Sequence, residues 1–199
     1  MLRKAIYPKV EALLNRGAAF CHQKRLTPNQ LTLAGLALSF LAGWLFSEGH
    51  FFLGGIVMLA GALGDLLDGP LARLTGKTSK FGAFFDSTVD RYSDFFLFGG
   101  IALFFARQGR FGWLFIVLGI ILGAFVTSYT KARAENLIGD CSVGIFERPE
   151  RMIVLAVGVI LTPLLSPALL VLFFGTQFTA LQRILFTQKA LSENQPPNG

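Results

Sequence analysis

Long uncharged apolar stretches are the feature that most constrains how this chain folds. Asp, Glu, Lys and Arg are absent from residues 26–47, from residues 49–64 and from residues 152–182. A helix needs about 20 mostly apolar residues to cross a bilayer. Several stretches of this length in a chain of 199 residues are atypical of a water-soluble domain. The sequence therefore predicts an all-α integral membrane protein.

Six transmembrane helices are predicted, preceded by an N-terminal amphipathic helix that lies on the membrane surface. The predicted spans are 26–47, 49–74, 81–106, 111–134 and two helices within 152–191, separated by a tight turn at Pro163 and Pro167. Residues 1–25 carry six Lys or Arg and no long apolar run, which is typical of an interfacial helix. We predict three segments: the juxtamembrane helix 1–25, one six-helix domain 26–191 and a disordered tail 192–199.

Lysine and arginine are concentrated at one end of these helices. Of the 18 such residues, only Arg107 and Arg110 fall in loops at the end away from the N-terminus. Because cytoplasmic loops are enriched in Lys and Arg, we predict a multi-pass protein of the cell inner (cytoplasmic) membrane with both termini in the cytoplasm. Cations at this end also suit anionic headgroups. Membrane lipids are therefore expected partners, and nucleic acid is not.

Four aspartates at the same end form two pairs. Asp65 and Asp68 lie about 60° apart on one predicted helix, and Asp86 and Asp90 lie about 40° apart on the next. Carboxylates at the ends of apolar helices are costly to desolvate unless cations neutralise them. A donor set made only of oxygen favours Mg²⁺, with Mn²⁺ as a substitute, over zinc. The pairs therefore predict a divalent metal site with the active site facing the cytoplasm.

The aspartates belong to a longer pattern that resembles a known family. The pattern runs from Asp65 to Asp90 and reads Asp-x2-Asp-Gly-x2-Ala-Arg-x8-Gly-x3-Asp-x3-Asp. It is the full signature of the CDP-alcohol phosphotransferase family, and the predicted six helices are similar to the fold of that family. The resemblance implies two Mg²⁺ ions, a CDP-lipid donor such as CDP-diacylglycerol, an acceptor hydroxyl whose attack releases CMP, and a homodimer.

The resemblance also implies individual roles. Asp65, Asp68 and Asp86 would be metal ligands, and Asp90 would be both a ligand and the general base. Asp94, one turn beyond Asp90, is expected to pair with Arg91 or with a partner subunit and is given no catalytic role. The residues that would contact the CDP-lipid are Pro28, Asn29, Gln30, Leu31, Gly69, Ala72, Arg73, Ser79 and Gly82.

Residues around the second aspartate pair are similar to one branch of the family, which makes phosphatidylinositol phosphate or its archaeal ether-lipid counterpart. Phosphatidylglycerolphosphate synthases usually have Pro after the first of these aspartates, where this chain has Ser87. The acceptor in that branch is inositol 1-phosphate, whose phosphate needs a cationic pocket. We predict that Lys131, Arg151 and Arg183 form it, with Arg91, Arg133 and Arg148 as second choices. Arg183 interrupts a segment that otherwise lacks charge, and an intramembrane cation usually has a partner.

Two other functions fit part of this pattern. The same transfer to glycerol 3-phosphate would also use a cationic pocket, because that acceptor carries a phosphate as well. A cation-coupled transporter would place carboxylates within the membrane too. Polar groups in a transporter should continue through the midplane, however, whereas residues 111–126 are almost entirely apolar.

Overall fold

Seven α-helices form the part of the chain that the structure describes. The computed structural model describes residues 2–193, with side chains described from residue 12 onward. A single 3₁₀ turn, Thr162–Leu164, separates the last two helices, and there is no strand within residues 2–193. The helices are α1 Leu2–Gln23, α2 Pro28–Ser47, α3 Phe51–Leu74, α4 Lys80–Arg107, α5 Phe111–Ile138, α6 Arg148–Ile160 and α7 Leu165–Glu193.

Four segments are long and apolar enough to cross a membrane. They are α2, α3, α5 and the stretch Thr162–Glu193 that contains α7. The charged first half of α4 explains why this helix of 28 residues is not among them. The 13 residues of α6 span only roughly 20 Å, against about 30 Å of bilayer hydrocarbon. The all-helical membrane fold is therefore confirmed, while the count of six spans stays a prediction.

Local signals in the sequence determine where several helices begin. Thr27 and Gln30 form a reciprocal capping box at the start of α2, with Pro28 at the first helical position. Ser79 caps α4 by accepting a hydrogen bond of 2.9 Å from the backbone N–H of Gly82. The predicted turn before α7 forms around Pro163. Pro167 lies instead in the first turn of α7, where its missing N–H costs no intrahelical hydrogen bond.

The main core lies between α2, α3, α4, α5, α6 and α7, toward the end away from the aspartates. Its largest fully buried side chains include Phe46, Phe98 and Phe105. The backbones of α2 and α4 touch where Gly43 meets Gly100, and a Cβ at either position would overlap the backbone of the other helix. This contact holds the two helices at a short, fixed separation.

A smaller cluster attaches α1 to the end that carries the signature. Ala18 and Cys21 of α1 are buried against Leu71 of α3, with Leu67 packed beside them. The amphipathic pattern predicted for 1–25 includes side chains that lie outside the described residues. At the other terminus, α7 extends to Glu193, so residues 192 and 193 are helical and not part of a disordered tail. Residues 194–199 of that predicted tail lie outside the described residues.

Candidate active site

The four signature aspartates lie on the facing ends of α3 and α4. Asp68 accepts a hydrogen bond of 2.9 Å from the Thr32 hydroxyl, which connects the signature segment of α3 to α2. Pro70 follows within α3, where it removes a hydrogen bond to the carbonyl one turn earlier. The side chains of Asp65 and Asp90 are about one-seventh and one-fifth exposed. These two carboxylates are therefore largely buried, and leaving their charge unpaired there would cost free energy.

Arg148, the first residue of α6, connects the two pairs. Its Nη2 lies 3.1 Å from Oδ2 of Asp65, and its Nη1 lies 2.8 Å from Oδ1 of Asp90. The Nε atom lies 3.6 Å from Oδ1 of Asp94, beyond hydrogen-bond distance. One guanidinium thus joins α3, α4 and α6. The sequence favoured Lys131, Arg151 and Arg183 for the cationic pocket and Arg148 only as a second choice, and it did not indicate that Arg148 would contact the aspartates.

The donor atoms suit a divalent cation, although their present arrangement is held by Arg148. Within residues 12–193, no three acidic, His or Cys side chains converge closely enough to hold one ion. Among the described side chains Asp68 and Asp86 form no ion pair, and of the four aspartates Arg148 contacts Asp65 and Asp90. This excess of negative oxygen donors is the chemistry that Mg²⁺ and Mn²⁺ prefer. Asp65, Asp68, Asp86 and Asp90 therefore fit the predicted metal set.

A cavity of about 280 Å³ opens on one side of the aspartates, between α2, α3 and the start of α4. Most residues that were predicted to bind a CDP-lipid line it, together with Asp68 and Asp86. Thr32, Lys77 and Thr78 also line it and were not predicted. The predicted residues in the lining are Pro28, Asn29, Gly69, Ala72, Arg73, Ser79 and Gly82.

Gln30 and Leu31 were predicted to contact the same ligand, but they lie outside this lining. The Gln30 side chain accepts a hydrogen bond of 2.9 Å from the backbone N–H of Thr27 and so serves the capping box. Leu31 packs against the small cluster beneath α1. Helix geometry explains the difference, because Pro28 and Thr32 are one turn apart and share a face that Gln30 and Leu31 do not.

A second cavity, of about 180 Å³, lies on the other side of the aspartates between α4, α5, α6 and α7. Lys131, Arg151 and Arg183 all line it, so three cations from three helices do converge on one space. Asp90 is in the same lining, and Asp86 is not. The two aspartates of α4, one turn apart, therefore face different cavities.

Each of the three cations is held by an acidic side chain. Glu147 accepts from Lys131 Nζ at 3.1 Å and from Arg183 Nη2 at 2.5 Å. Arg183 is 2% exposed and also donates to the backbone carbonyls of Thr127 and Val143, each at 2.8 Å. Lys131 is more accessible, with 38% of its side chain exposed. With Arg91 and Arg148, which also line this cavity, five cations face three acids, Glu147, Asp90 and Asp94, so the lining keeps an excess of positive charge.

Asp94 differs from its predicted role as a partner of Arg91. Its Oδ2 accepts from Arg151 Nη2 at 2.7 Å, and it is 5% exposed. Arg91 instead donates to the backbone carbonyl of Ser87 on its own helix. Sequence spacing indicated Arg91, three residues earlier on the same helix, whereas the observed partner Arg151 is brought from α6 by tertiary packing. Asp94 thereby fixes one of the three cations of the second cavity.

Comparison with known proteins agrees with this geometry. Residues 25–187 match the family model described as CDP-alcohol phosphatidyltransferase. The chain is 39% identical over 192 residues to the archaetidylinositol phosphate synthase of Pyrococcus horikoshii, covering 96% of this chain and 98% of the relative.

Two solved structures have the same fold. The phosphatidylinositol phosphate synthase of Mycobacterium tuberculosis with CDP-DAG bound is 29% identical with a TM-score of 0.84, covering 94% of this chain and 100% of that chain. The same enzyme in complex with manganese and citrate is 30% identical with a TM-score of 0.83, covering 93% of each chain. Since the match includes the whole signature and both cavities, the chain belongs to the CDP-alcohol phosphatidyltransferase family.

Proposed function

We propose that this chain transfers the phosphatidyl group of a CDP-activated lipid, CDP-diacylglycerol, to a hydroxyl of inositol 1-phosphate. The products are phosphatidylinositol phosphate and CMP. The relatives support this reaction, because they are named phosphatidylinositol phosphate synthase or archaetidylinositol phosphate synthase. The ether-lipid donor of the archaeal branch would undergo the same bond changes.

The observation that carries the proposal is the position of the aspartates between two cavities of different character. The cavity beside Asp68 and Asp86 is lined by signature residues and has room beside Gly69 and Gly82 for a flat base or a diphosphate. The cavity beside Asp90 is lined by five cationic side chains, which are Lys131, Arg151, Arg183, Arg91 and Arg148. A donor in the first and a phosphorylated acceptor in the second would meet at the carboxylates.

The residues then have separate tasks in one displacement. The acceptor oxygen attacks the lipid-bearing phosphorus of the donor, a new P–O bond forms, and the P–O bond to CMP breaks. Asp90 accepts the proton of the attacking hydroxyl. Arg73 places a fixed positive charge beside the donor phosphates. Lys131, Arg151 and Arg183 hold the acceptor phosphate so that its hydroxyl is directed toward Asp90.

We propose two Mg²⁺ ions, with Mn²⁺ as a substitute, held by Asp65, Asp68, Asp86 and Asp90. When bound, they would offset the negative charge of the diphosphate and of the departing CMP. The manganese in the structure of the M. tuberculosis relative supports a divalent metal here.

We also propose six transmembrane helices in the inner membrane, with the signature end in the cytoplasm, the interfacial helix α1 beside it, and a homodimer. The one-sided distribution of Lys and Arg supports this orientation. A Cβ at Gly99 would meet no atom within 4 Å, so this position leaves room for a helix of a partner subunit to pack closely, which supports the homodimer. Gly100 is already used within the chain by Gly43.

An assay of CMP release tests the function. Purified protein with CDP-diacylglycerol and Mg²⁺ should release CMP when inositol 1-phosphate is added, but not with free inositol, which lacks the phosphate that the cations require. EDTA should stop the reaction, and Mn²⁺ should restore it. Release with glycerol 3-phosphate alone would move the assignment to phosphatidylglycerol phosphate synthesis. Absence of CMP release with every acceptor would refute the enzyme assignment and leave the transporter to be tested.

A further inference from the structure

Arg148 is placed differently from the other cations of the site. Lys131, Arg151 and Arg183 each contact one acidic residue, whereas the guanidinium of Arg148 lies within 3.6 Å of three, on both helices that carry the signature. Its bonds to Asp65 and Asp90 use carboxylate oxygens that belong to the proposed metal set. Arg148 is therefore a positively charged side chain that lies among the proposed ligands of a metal ion.

The contact between Arg148 and Asp94 is incomplete. Nε of Arg148 and Oδ1 of Asp94 face each other at 3.6 Å, and each is a buried atom without a hydrogen-bond partner in the described part of the chain. Oδ2 of Asp94 is already bonded to Arg151, so Oδ1 is the oxygen that remains for Arg148. Buried polar atoms are normally satisfied. A movement of under 1 Å would satisfy both.

Arg148 and a divalent ion cannot share Asp65 and Asp90 freely. An N–H donor and a metal ion need the same oxygen lone pairs, and two cations in that space would repel each other at short range. Any ion that takes these oxygens must therefore displace the guanidinium. Asp94 offers the displaced Arg148 an acceptor next to its present position, within the lining of the cationic cavity.

We propose that Arg148 is a displaceable counter-charge, which neutralises Asp65 and Asp90 until a divalent ion binds and then moves onto Asp94. The inference rests on the proposed metal site and goes beyond it by assigning roles to Arg148 and Asp94. The guanidinium balances the negative charges of Asp65 and Asp90, which would otherwise repel each other. Arg148 already lines the acceptor cavity, and once it pairs with Asp94 its charge is no longer shared with Asp65 and Asp90, so metal binding prepares that cavity for an anion.

Binding of Mn²⁺ alone to the detergent-purified protein tests this, with free Mn²⁺ measured by electron paramagnetic resonance. Arg148→Gln should bind Mn²⁺ more tightly than the wild type, by about 5- to 150-fold, because the competing cation is gone. Arg148→Lys keeps the charge but has no planar fork with which to bridge two carboxylates, so its affinity should lie in between. Arg16→Gln is the matched control, since it removes an exposed positive charge from α1.

A second variant tests the acceptor of the displaced group. Asp94→Asn should weaken Mn²⁺ binding in the wild-type background, because Arg148 loses its alternative partner. The same change should have a much smaller effect in Arg148→Gln, where nothing needs to move. Equal effects in both backgrounds would show that Asp94 acts only through its own charge or through folding, and would overturn its assignment.

The results separate failure of this inference from failure of the proposed function. Loss of Mn²⁺ binding in Asp68→Asn shows that the measured ion occupies the aspartate site, while a wild type that binds no Mn²⁺ would contradict the metal site itself. A wild type that binds Mn²⁺ together with an Arg148→Gln variant of equal or lower affinity would overturn the counter-charge alone, since Arg148 would then be a structural support of the metal site.

Discussion

At the scale of single residues, the two signature aspartates of α4 lie beside different cavities. Asp86 lines the cavity that the signature glycines share, and Asp90, one turn later, lines the cationic cavity. Both carboxylates belong to the same sequence motif, yet only Asp90 lines the cavity in which the acceptor is proposed to bind. Side chains four residues apart point to the same face of a helix, so the boundary between the cavities must run between them.

Replacement of Asp90 by Asn should therefore remove the base and leave the donor cavity intact. We expect the rate of CMP release to fall by about 10² to 10⁴-fold, as for loss of a general base. Binding of CDP-diacylglycerol, measured by calorimetry in detergent, should change little. Asp140→Asn, at an exposed position outside both cavities, is the matched control. An Asp90→Asn enzyme with wild-type turnover would exclude the proton-accepting role.

Lys131 is the cation best suited to a test of acceptor binding, since it is the most exposed of the three and has one acidic partner. Lys131→Ala should raise KM for inositol 1-phosphate by roughly tenfold or more, from the loss of a hydrogen bond to a charged group. The KM for CDP-diacylglycerol should stay near its wild-type value. Lys189→Ala removes an exposed lysine that pairs only with Glu193 and serves as the control. Equal increases in both KM values would contradict a separate acceptor pocket.

At the scale of helices, the sequence predicted what depends on local pattern. Uncharged runs located α2, α3 and α5, and the signature spacing located the aspartates on α3 and α4. Partners brought together by packing were not predictable, because Arg148 lies 83 residues from Asp65 and Arg151 lies 57 from Asp94. The spacing along the chain indicates neither pairing, although Arg151 itself was predicted to line the acceptor pocket. Gln30 lies outside the donor cavity for a local reason, because its side chain accepts a hydrogen bond in the cap of α2.

The contact between α2 and α4 provides a test at this scale. Gly100→Ala should lower the free energy of unfolding by about 1–3 kcal/mol, because the new methyl group overlaps the backbone of α2. Gly99→Ala is the matched control one residue away, where a Cβ meets nothing within 4 Å. Thermal unfolding in detergent measures both. A Gly100→Ala protein as stable as Gly99→Ala would show that the helices are less closely packed than described.

At the scale of the whole molecule, polarity is confined to one end. Both cavities, the aspartates and nearly all Lys and Arg lie there, and the largest core side chains lie toward the other end. This separation distinguishes the chain from a transporter, whose binding groups lie near the membrane midplane. Donor lipid would enter with its headgroup at the polar end and its chains beside the helices.

The proposed orientation predicts which loops can be reached from outside an intact cell. In a background with Cys21 and Cys141 replaced by Ser, Gln108→Cys in the loop between α4 and α5 should react with a membrane-impermeant maleimide. Lys189→Cys near the end of α7 should react only after the cells are permeabilised. Both positions are exposed in the structure, so a difference in labelling reports on the side of the membrane. The reverse pattern would invert the topology.

The close approach of Gly43 and Gly100 also sets how the donor cavity can open. Gly43 is 11 residues from Thr32 and Gly100 is 14 from Asp86, so helical arms of about 16 and 21 Å run from the glycines to the donor cavity. Backbones in direct contact resist sliding, so the freedom that remains to the two helices is a change of angle about this contact. A change of about 10° would move the ends of the arms by roughly 3 to 4 Å. The glycine contact would then act as a pivot, and the width of the donor cavity would follow the angle between α2 and α4.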